Sequence, residues 1–405
     1  MKHGLVLGVL SGLVLLAGCT ESVAIFEPSQ SVGAPEDGGT RSDAAPVEGS
    51  ARLLAAFEHS CAVDADGLVC WGQNDFGKLG LGSEGGVERT PRRNTTAGNY
   101  VQLCAAEVHS CGLRDDGEIE CWGGNSHGQL GLNDRTARHE PTPLRSGLAF
   151  SALSCGGQAS CAVTQDGSLY CWGDNREGMG GQADPYDSPD LLKPAKAALA
   201  RGVRQVSVGQ GHACAVMTSG ALYCWGRNTE SQLGLGPSQI QLREPQLVDD
   251  GNSYVHVAAA QSHSCGVRKD GHLFCWGANI DGRLGLGTGA ATKLDTPQQV
   301  GTLSDFREVF ANWFHSCARR EKGSLMCWGR NAEGQLGMGD MDTRDVPTRV
   351  HGPSVWSAFT VGRFHTCAID TGNVYCWGQN QDGQLGNTEP DRSPEPLRTP
   401  LELAE

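Results

Sequence analysis

Residues 159–173 read ASCAVTQDGSLYCWG, and the fold follows from this stretch. Two short apolar runs flank Thr164 to Ser168, which carries the tight-turn pair Asp166-Gly167, so the segment reads as strand, turn, strand. A three-residue hairpin loop wants its last residue in the left-handed region, which Gly167 enters without steric penalty. That register sets Cys161 opposite Cys171. Cross-strand residues in the narrow, non-hydrogen-bonded position have Cα atoms roughly 4.5 Å apart, within reach of a disulfide.

The same stretch returns along the chain. Cys-Trp-Gly begins at Cys70, Cys121, Cys171, Cys224, Cys275, Cys327 and Cys376, at spacings of 51, 50, 53, 51, 52 and 49 residues. An earlier cysteine precedes each by nine or ten residues: Cys61, Cys111, Cys161, Cys214, Cys265, Cys317 and Cys367. The spacing predicts seven bridges, each within one hairpin. Zinc is the competing use of paired cysteines, but structural zinc sites space their cysteines two to four residues apart and bring two such pairs together. A loop of this size gives roughly 2–3 kcal/mol per bridge in the chain-entropy picture. Cys104 and Cys155 lie on the strand before the hairpin in adjacent units, and two readings stay open: two buried thiols, or one bridge between neighbours.

After each Cys-Trp-Gly come a variable residue, an Asn and a glycine-leucine run such as Gly77-Lys78-Leu79-Gly80, Gly128-Gln129-Leu130-Gly131 or Gly334-Gln335-Leu336-Gly337. In combining His-Ser-Cys-Ala-Val, an Asp-Gly turn, Cys-Trp-Gly-x-Asn and Gly-Gln-Leu-Gly, these units resemble repeats of the regulator of chromosome condensation family. The resemblance covers nearly everything after residue 50 and implies an all-β, seven-bladed β-propeller over 51–402, with repeats at about 51–99, 100–149, 150–202, 203–253, 254–305, 306–355 and 356–402. A small sheet has two apolar faces and cannot bury both alone, so units stack around an axis and the ring closes. The Trp of each Cys-Trp-Gly is expected between blades. The glycine-rich runs are not phosphate loops, because no Gly-Lys-Ser/Thr opens a helix after them.

The first residues speak to compartment. Met1, Lys2 and His3 form a short basic start, and Gly4 to Leu16 is an apolar run too short to span a bilayer comfortably. Leu16-Ala17-Gly18-Cys19 resembles the lipobox of bacterial lipoproteins, which implies a signal peptide over 1–18 and lipidation of Cys19. Several acyl chains, at about 0.8 kcal/mol per buried methylene, make a firm anchor. Residues 19–50, rich in Ser, Gly, Ala, Pro and acidic residues, read as a solvated tether. Thr20 follows Cys19 where some bacteria place an Asp that retains a lipoprotein at the inner membrane, so the expected location is the cell envelope, at the outer membrane or cell surface. Export to an oxidising compartment suits the bridges.

With a formal net charge of −14 the chain is a poor match for a phosphate backbone, so no nucleic-acid partner is expected. His stands two positions before the first Cys in six units, at 59, 109, 212, 263, 315 and 365, with Ala159 in the remaining one. A metal ring is one reading. The reading adopted is that each His caps a turn through backbone of its own blade, because the blades are too far apart to share an ion. Asn74, Asn125, Asn175, Asn228, Asn279, Asn331 and Asn380 read as turn residues. Asp184, Asp187 and Asp190 around Tyr186 lack the Gly and terminal Glu of a calcium loop. Asn94-Thr95-Thr96 matches a glycosylation acceptor, a modification that a bacterial lipoprotein gives little reason to expect. No metal or cofactor is expected, and no nucleophile elbow, zinc-protease helix or nucleotide loop is present, so a catalytic role is not expected.

Strand alternation puts the turn before His and the loop after Trp on one face, with the Asp-Gly turns opposite. On the shared face the residues preceding His vary from unit to unit, and the first, sixth and seventh units carry Phe57, Trp313, Phe314, Arg363 and Phe364. Aromatics and Arg on a rigid rim are typical anchors for a protein partner. These five residues form the expected binding rim, the other reading being that they plug the channel mouth. The functional expectation is a monomeric, lipid-anchored, non-catalytic module that binds a protein or glycan at the envelope. Alternatives are an inhibitor of secreted enzymes resembling the β-lactamase-inhibitory type or, further off, an envelope hydrolase or lyase. Nucleotide exchange, known for nuclear members, does not carry over to an exported chain.

Overall fold

The computed structural model describes residues 53–401 apart from 65, 95–97, 183–189, 238–239, 250 and 252. The proposed signal, Cys19, the tether, Thr95, Thr96, Asp184, Tyr186 and Asp187 lie outside the described residues. Within them the chain is a seven-bladed propeller of four-stranded antiparallel sheets, each made of four strands consecutive in sequence. In the first blade these are β1 (Leu53–Ala56), β2 (His59–Asp64), β3 (Gly67–Gln73) and β4 (Val87–Arg93). Strands equivalent to β1 neighbour one another all the way round and form the inner wall, and those equivalent to β4 form the outer edge.

The hairpin register is the one the sequence implies. Cys161 pairs with Cys171, Gly167 has φ +77°, and the seven intra-hairpin disulfides each have a Cα–Cα distance of 4.1 Å. Cys104 and Cys155 form an eighth bridge, with Cα atoms 5.7 Å apart, between the inner strands Tyr100–Ala105 and Phe150–Gly156. This decides between the two open readings. In every blade the register shifts beside the Trp of Cys-Trp-Gly, between the third and outer strands. The following Gly173 sits at φ +100°, where a Cβ would lie 2.4 Å from Gln158 O, so only glycine fits.

The core lies between blades. One cluster joins Cys111, Leu113, Ile119, Cys121, Leu130 and Leu144 of the second blade to Phe150, Leu153, Ala162 and Trp172 of the third. An equivalent cluster joins Cys367, Ile369, Val374, Cys376 and Leu385 of the seventh blade to Ala62, Val69 and Trp71 of the first, so the ring closes. Among the described residues no strand is exchanged at that closure. It rests on packing and on hydrogen bonds such as Trp71 Nε1 donating to Gln384 O at 2.9 Å.

Every outer strand contains a proline: Pro91, Pro141, Pro194, Pro245, Pro297, Pro347 and Pro394. Proline offers no N–H to a pairing strand, so each exposed edge is blunted against edge-to-edge association.

Candidate functional site

The repeated His needs a corrected role. The turn before it is closed by backbone alone, with Phe57 N donating to His59 O at 2.9 Å and Ala106 N to His109 O at 2.9 Å. The ring is therefore free to reach the next blade. His59 Nε2 lies 2.7 Å from Ser110 Oγ, His109 2.8 Å from Ser160, His212 2.8 Å from Ser264, His263 2.9 Å from Ser316, His315 2.8 Å from Thr366 Oγ1 and His365 2.9 Å from Ser60. Each hydroxyl gives its one proton to a carbonyl of the glycine-leucine run, as Ser110 does to Lys78 O at 2.9 Å, and so accepts from the His. The same carbonyl takes the indole N–H of Trp122 at 2.9 Å. Burial holds all six imidazoles neutral; His109, His212, His315 and His365 are pulled down to about 3. Ala159 explains itself here. The blade that lacks the His faces a blade that lacks the hydroxyl, Ala213, so neither partner is left orphaned.

The repeated Asn is a turn residue, as expected: Asn74 Oδ1 accepts from Leu79 N at 3.1 Å and Nδ2 donates to Ser83 O at 3.1 Å. The loop after Trp does share a face with the turn before His, because Gln73 N donates to Glu58 O, Arg330 N to Phe314 O and Gln379 N to Phe364 O. We call this the upper face.

On that face Phe57, Trp313, Phe314, Arg363 and Phe364 come together, although they belong to three separate repeats. Phe314 stacks on Phe364 with centroids 5.2 Å apart and planes at 19°, Trp313 meets Phe314 edge-on at 5.7 Å, and Phe57 meets Trp313 at 6.4 Å. Arg363 lies 4.0 Å above the Trp313 ring and pairs with Glu58 at 2.5 Å. Phe57 is only 4 % exposed, so it packs against Trp313 and offers little surface of its own. The first and sixth blades are not adjacent, so the Phe57–Trp313 contact reaches over the channel mouth, as does Gln210 Nε2 toward Glu107 Oε2 at 3.4 Å.

Lys78 and Arg283 replace the Gln of the Gly-Gln-Leu-Gly run. Where Gln is present its Oε1 accepts a loop N–H, as Gln129 does from His127 at 2.9 Å and Gln335 from Glu333 at 2.9 Å. Lys and Arg have no acceptor. Their loops fold as short 3-10 turns, Asp75–Gly77 and Ile280–Gly282, with Phe76 and Asp281 both at φ +60°. The freed cations point elsewhere. Lys78 Nζ donates to Gln73 Oε1 at 2.6 Å and Glu107 O at 3.3 Å, among Glu58, Asp75, Glu107 and Asp382; burial lowers its pKa and those carboxylates oppose the shift. Asp382 is raised, by burial first and then by Glu58. Arg283 Nη1 donates to Trp313 O at 2.7 Å and to Ser262 Oγ at 3.3 Å. Arg330 sits 5.2 Å above Phe314 and 5.9 Å from Phe364.

Sequence reasoning missed Arg227, Arg283 and Arg330. The signal was present: Arg227 and Arg330 hold the variable position after Cys-Trp-Gly, and Arg283 breaks the Gln series. A second group, His127, Asp174 and Asp190, has the residue types of a metal site. Its charges are already matched, since Arg176 clamps Asp174 at 2.5 Å while Arg135 and His127 hold Asp190.

The RCC1-like domain family matches residues 153–404, and the regulator of chromosome condensation (RCC1) repeat matches residues 116–163. The chain is 30% identical to the ultraviolet-B receptor UVR8 of Arabidopsis thaliana over 85% of this chain and 82% of the receptor. It is 29% identical to the probable E3 ubiquitin-protein ligase HERC6 of Homo sapiens over 70% of this chain, but spans only 29% of the ligase. The structure of Prp20p from Saccharomyces cerevisiae, described with its binding properties to Gsp1p and histones, superposes with a TM-score of 0.72 at 19% identity, covering 88% of each chain.

Proposed function

Because the chain belongs to the family of RCC1-like propeller domains, we propose that it is a lipid-anchored envelope protein that displays the propeller as a non-catalytic binding module for a protein or glycan. The observation that carries this reading is the cluster of Trp313, Phe314, Phe364, Arg330 and Arg363, gathered from the sixth and seventh blades onto one face of a disulfide-held ring. Loops on a rigid scaffold are where binding residues concentrate, and Trp and Arg dominate interface energetics. Protein binding described for Prp20p supports the same use of the scaffold. Bridges in all seven hairpins favour an oxidising compartment, in keeping with the lipobox-like Leu16 to Cys19.

Affinity capture from envelope extract, with wild type beside Trp313→Ala/Phe314→Ala, tests the module. A partner recovered by wild type and lost with the double variant is the expected outcome, and equal recovery removes the rim from consideration. Acyl labelling that survives Cys19→Ser would overturn the anchor.

A further inference from the structure

The guanidiniums of the upper face are ordered rather than scattered. Arg227 Nη2 donates to Gln261 O at 3.3 Å, and Arg283 Nη1 takes up Ser262 Oγ and Trp313 O. Arg330 lies on Phe314 and Phe364, and Arg363 lies on Trp313 and Phe364. Each Arg therefore threads between or over the pre-His turns of the fifth, sixth and seventh blades, and the four form one arc over blades four to seven. Among the described residues, Arg227 and Arg330 have no carboxylate within ion-pair distance, and Arg283 has only Asp281, at 3.8 Å. In a chain of net charge −14, where nearly every other buried or half-buried Arg is matched, three weakly matched guanidiniums side by side are costly. Burial and then Arg330 lower the Arg283 pKa, against Asp281. Of the carboxylates on this face, Glu58, Asp75, Glu107 and Asp382 gather around Lys78, Asp281 lies 3.8 Å from Arg283, and Glu333, on the loop of Arg330, faces Arg392 at 3.6 Å.

We propose that this arc receives the carboxylates of an acidic segment of a protein partner, with Arg227 and Arg330 making the contacts. The inference rests on the binding-module reading and names the chemistry of its partner. Arg330, lying over two rings, and Arg227, held by Gln261 O, lose little further entropy when a fork meets a carboxylate, and Arg–carboxylate pairs can form two parallel hydrogen bonds. Buried Arg283, bonded to Trp313 O, adds positive field, and Arg363, already paired with Glu58, holds Trp313 in place. A neutral glycan fits less well. Sugars stack on open ring faces, whereas here Phe314 and Phe364 cover each other and Arg363 covers Trp313.

The test uses the detergent-solubilised full-length chain and a fluorescent deca-glutamate peptide, with deca-lysine and oligogalacturonate as competing probes, read by anisotropy at low and moderate salt. Wild type is expected to bind deca-glutamate, and Arg227→Gln/Arg330→Gln to weaken it about tenfold or more. Arg201→Gln/Arg307→Gln removes the same charge from the opposite face, where these residues pair with Asp166 and Glu321, and should bind as wild type. Retained binding by the upper-face double variant, or equal loss in the lower-face one, overturns the proposal. So does preferential binding of oligogalacturonate, which would assign the arc to an anionic glycan, or self-association that vanishes with R227Q/R330Q while deca-glutamate fails to bind. Circular dichroism and free-thiol counts check folding of each variant. If envelope capture yields a partner that R227Q/R330Q retains while Trp313→Ala/Phe314→Ala loses it, the acidic-segment inference fails and the binding module stands; if capture yields none with wild type, the module itself fails.

Discussion

His109 donates from Nε2 to Ser160 on the next blade and is sealed from solvent, so its value lies in a seam between repeats. Removing it discards a buried hydrogen bond, and His109→Ala is expected to cost about 1–3 kcal/mol by denaturant titration. Ser160 still donates to Gln129 O at 3.1 Å, and Trp172 Nε1 serves the same carbonyl at 2.9 Å, so that acceptor is never stranded. His109→Ala/Ser160→Ala rebuilds the arrangement that Ala159 and Ala213 already have, and should cost about 1 kcal/mol less than the sum of the single changes. Strict additivity would show that the contact carries no energy. The imidazoles also predict a pH dependence. The folded pKa values of His109, His212, His315 and His365 lie near 3 against about 6.5 in the unfolded chain, which therefore binds more protons. Their stabilising contribution is complete above about pH 6.5 and declines as pH falls toward 3; stability measured across that window should fall, less steeply in the His109→Ala variant.

Hairpins are the elements that the period made legible. Fourteen cysteines pair within the hairpins because a two-residue side-chain alternation and a turn ending in Gly, Asp-Gly in four of the seven, fix the register locally. Together with Cys104–Cys155 they leave no thiol among the described residues, so intact-mass analysis after alkylation should find the sixteen cysteines from Cys61 to Cys376 unmodified. Alkylation of Cys104 and Cys155 together would contradict the eighth bridge. Outer strands escaped the sequence reading because they are half-exposed and carry proline, which breaks the alternation used to find strands. Their prolines should matter for solubility. Pro194→Val, Pro245→Val and Pro297→Val together restore N–H donors along three neighbouring edges, and light scattering should show faster aggregation at unchanged monomer stability.

At the scale of the whole ring, among the described residues, closure occurs without strand exchange, and the sole covalent tie between blades is Cys104–Cys155, spanning 51 residues. A longer loop removes more chain entropy, so Cys104→Ala/Cys155→Ala should cost about 4 kcal/mol against about 3 for a hairpin bridge in the same picture. Thermal unfolding of that variant beside Cys161→Ala/Cys171→Ala decides the ranking. The repeat by itself determined seven units, the strand-turn-strand reading, the hairpin bridges and the pairing of faces, since each depends on residues a few positions apart. Three outcomes required the closed ring. It made the His a donor to its neighbour, joined Cys104 to Cys155, and brought Arg227, Arg283, Arg330 and Arg363 into one arc with Trp313. Those residues lie about a repeat apart in sequence, and which of them meet depends on how each blade is rotated against the next. That rotation is set by side chains packing across the seams, a property of pairs of repeats that no single repeat contains.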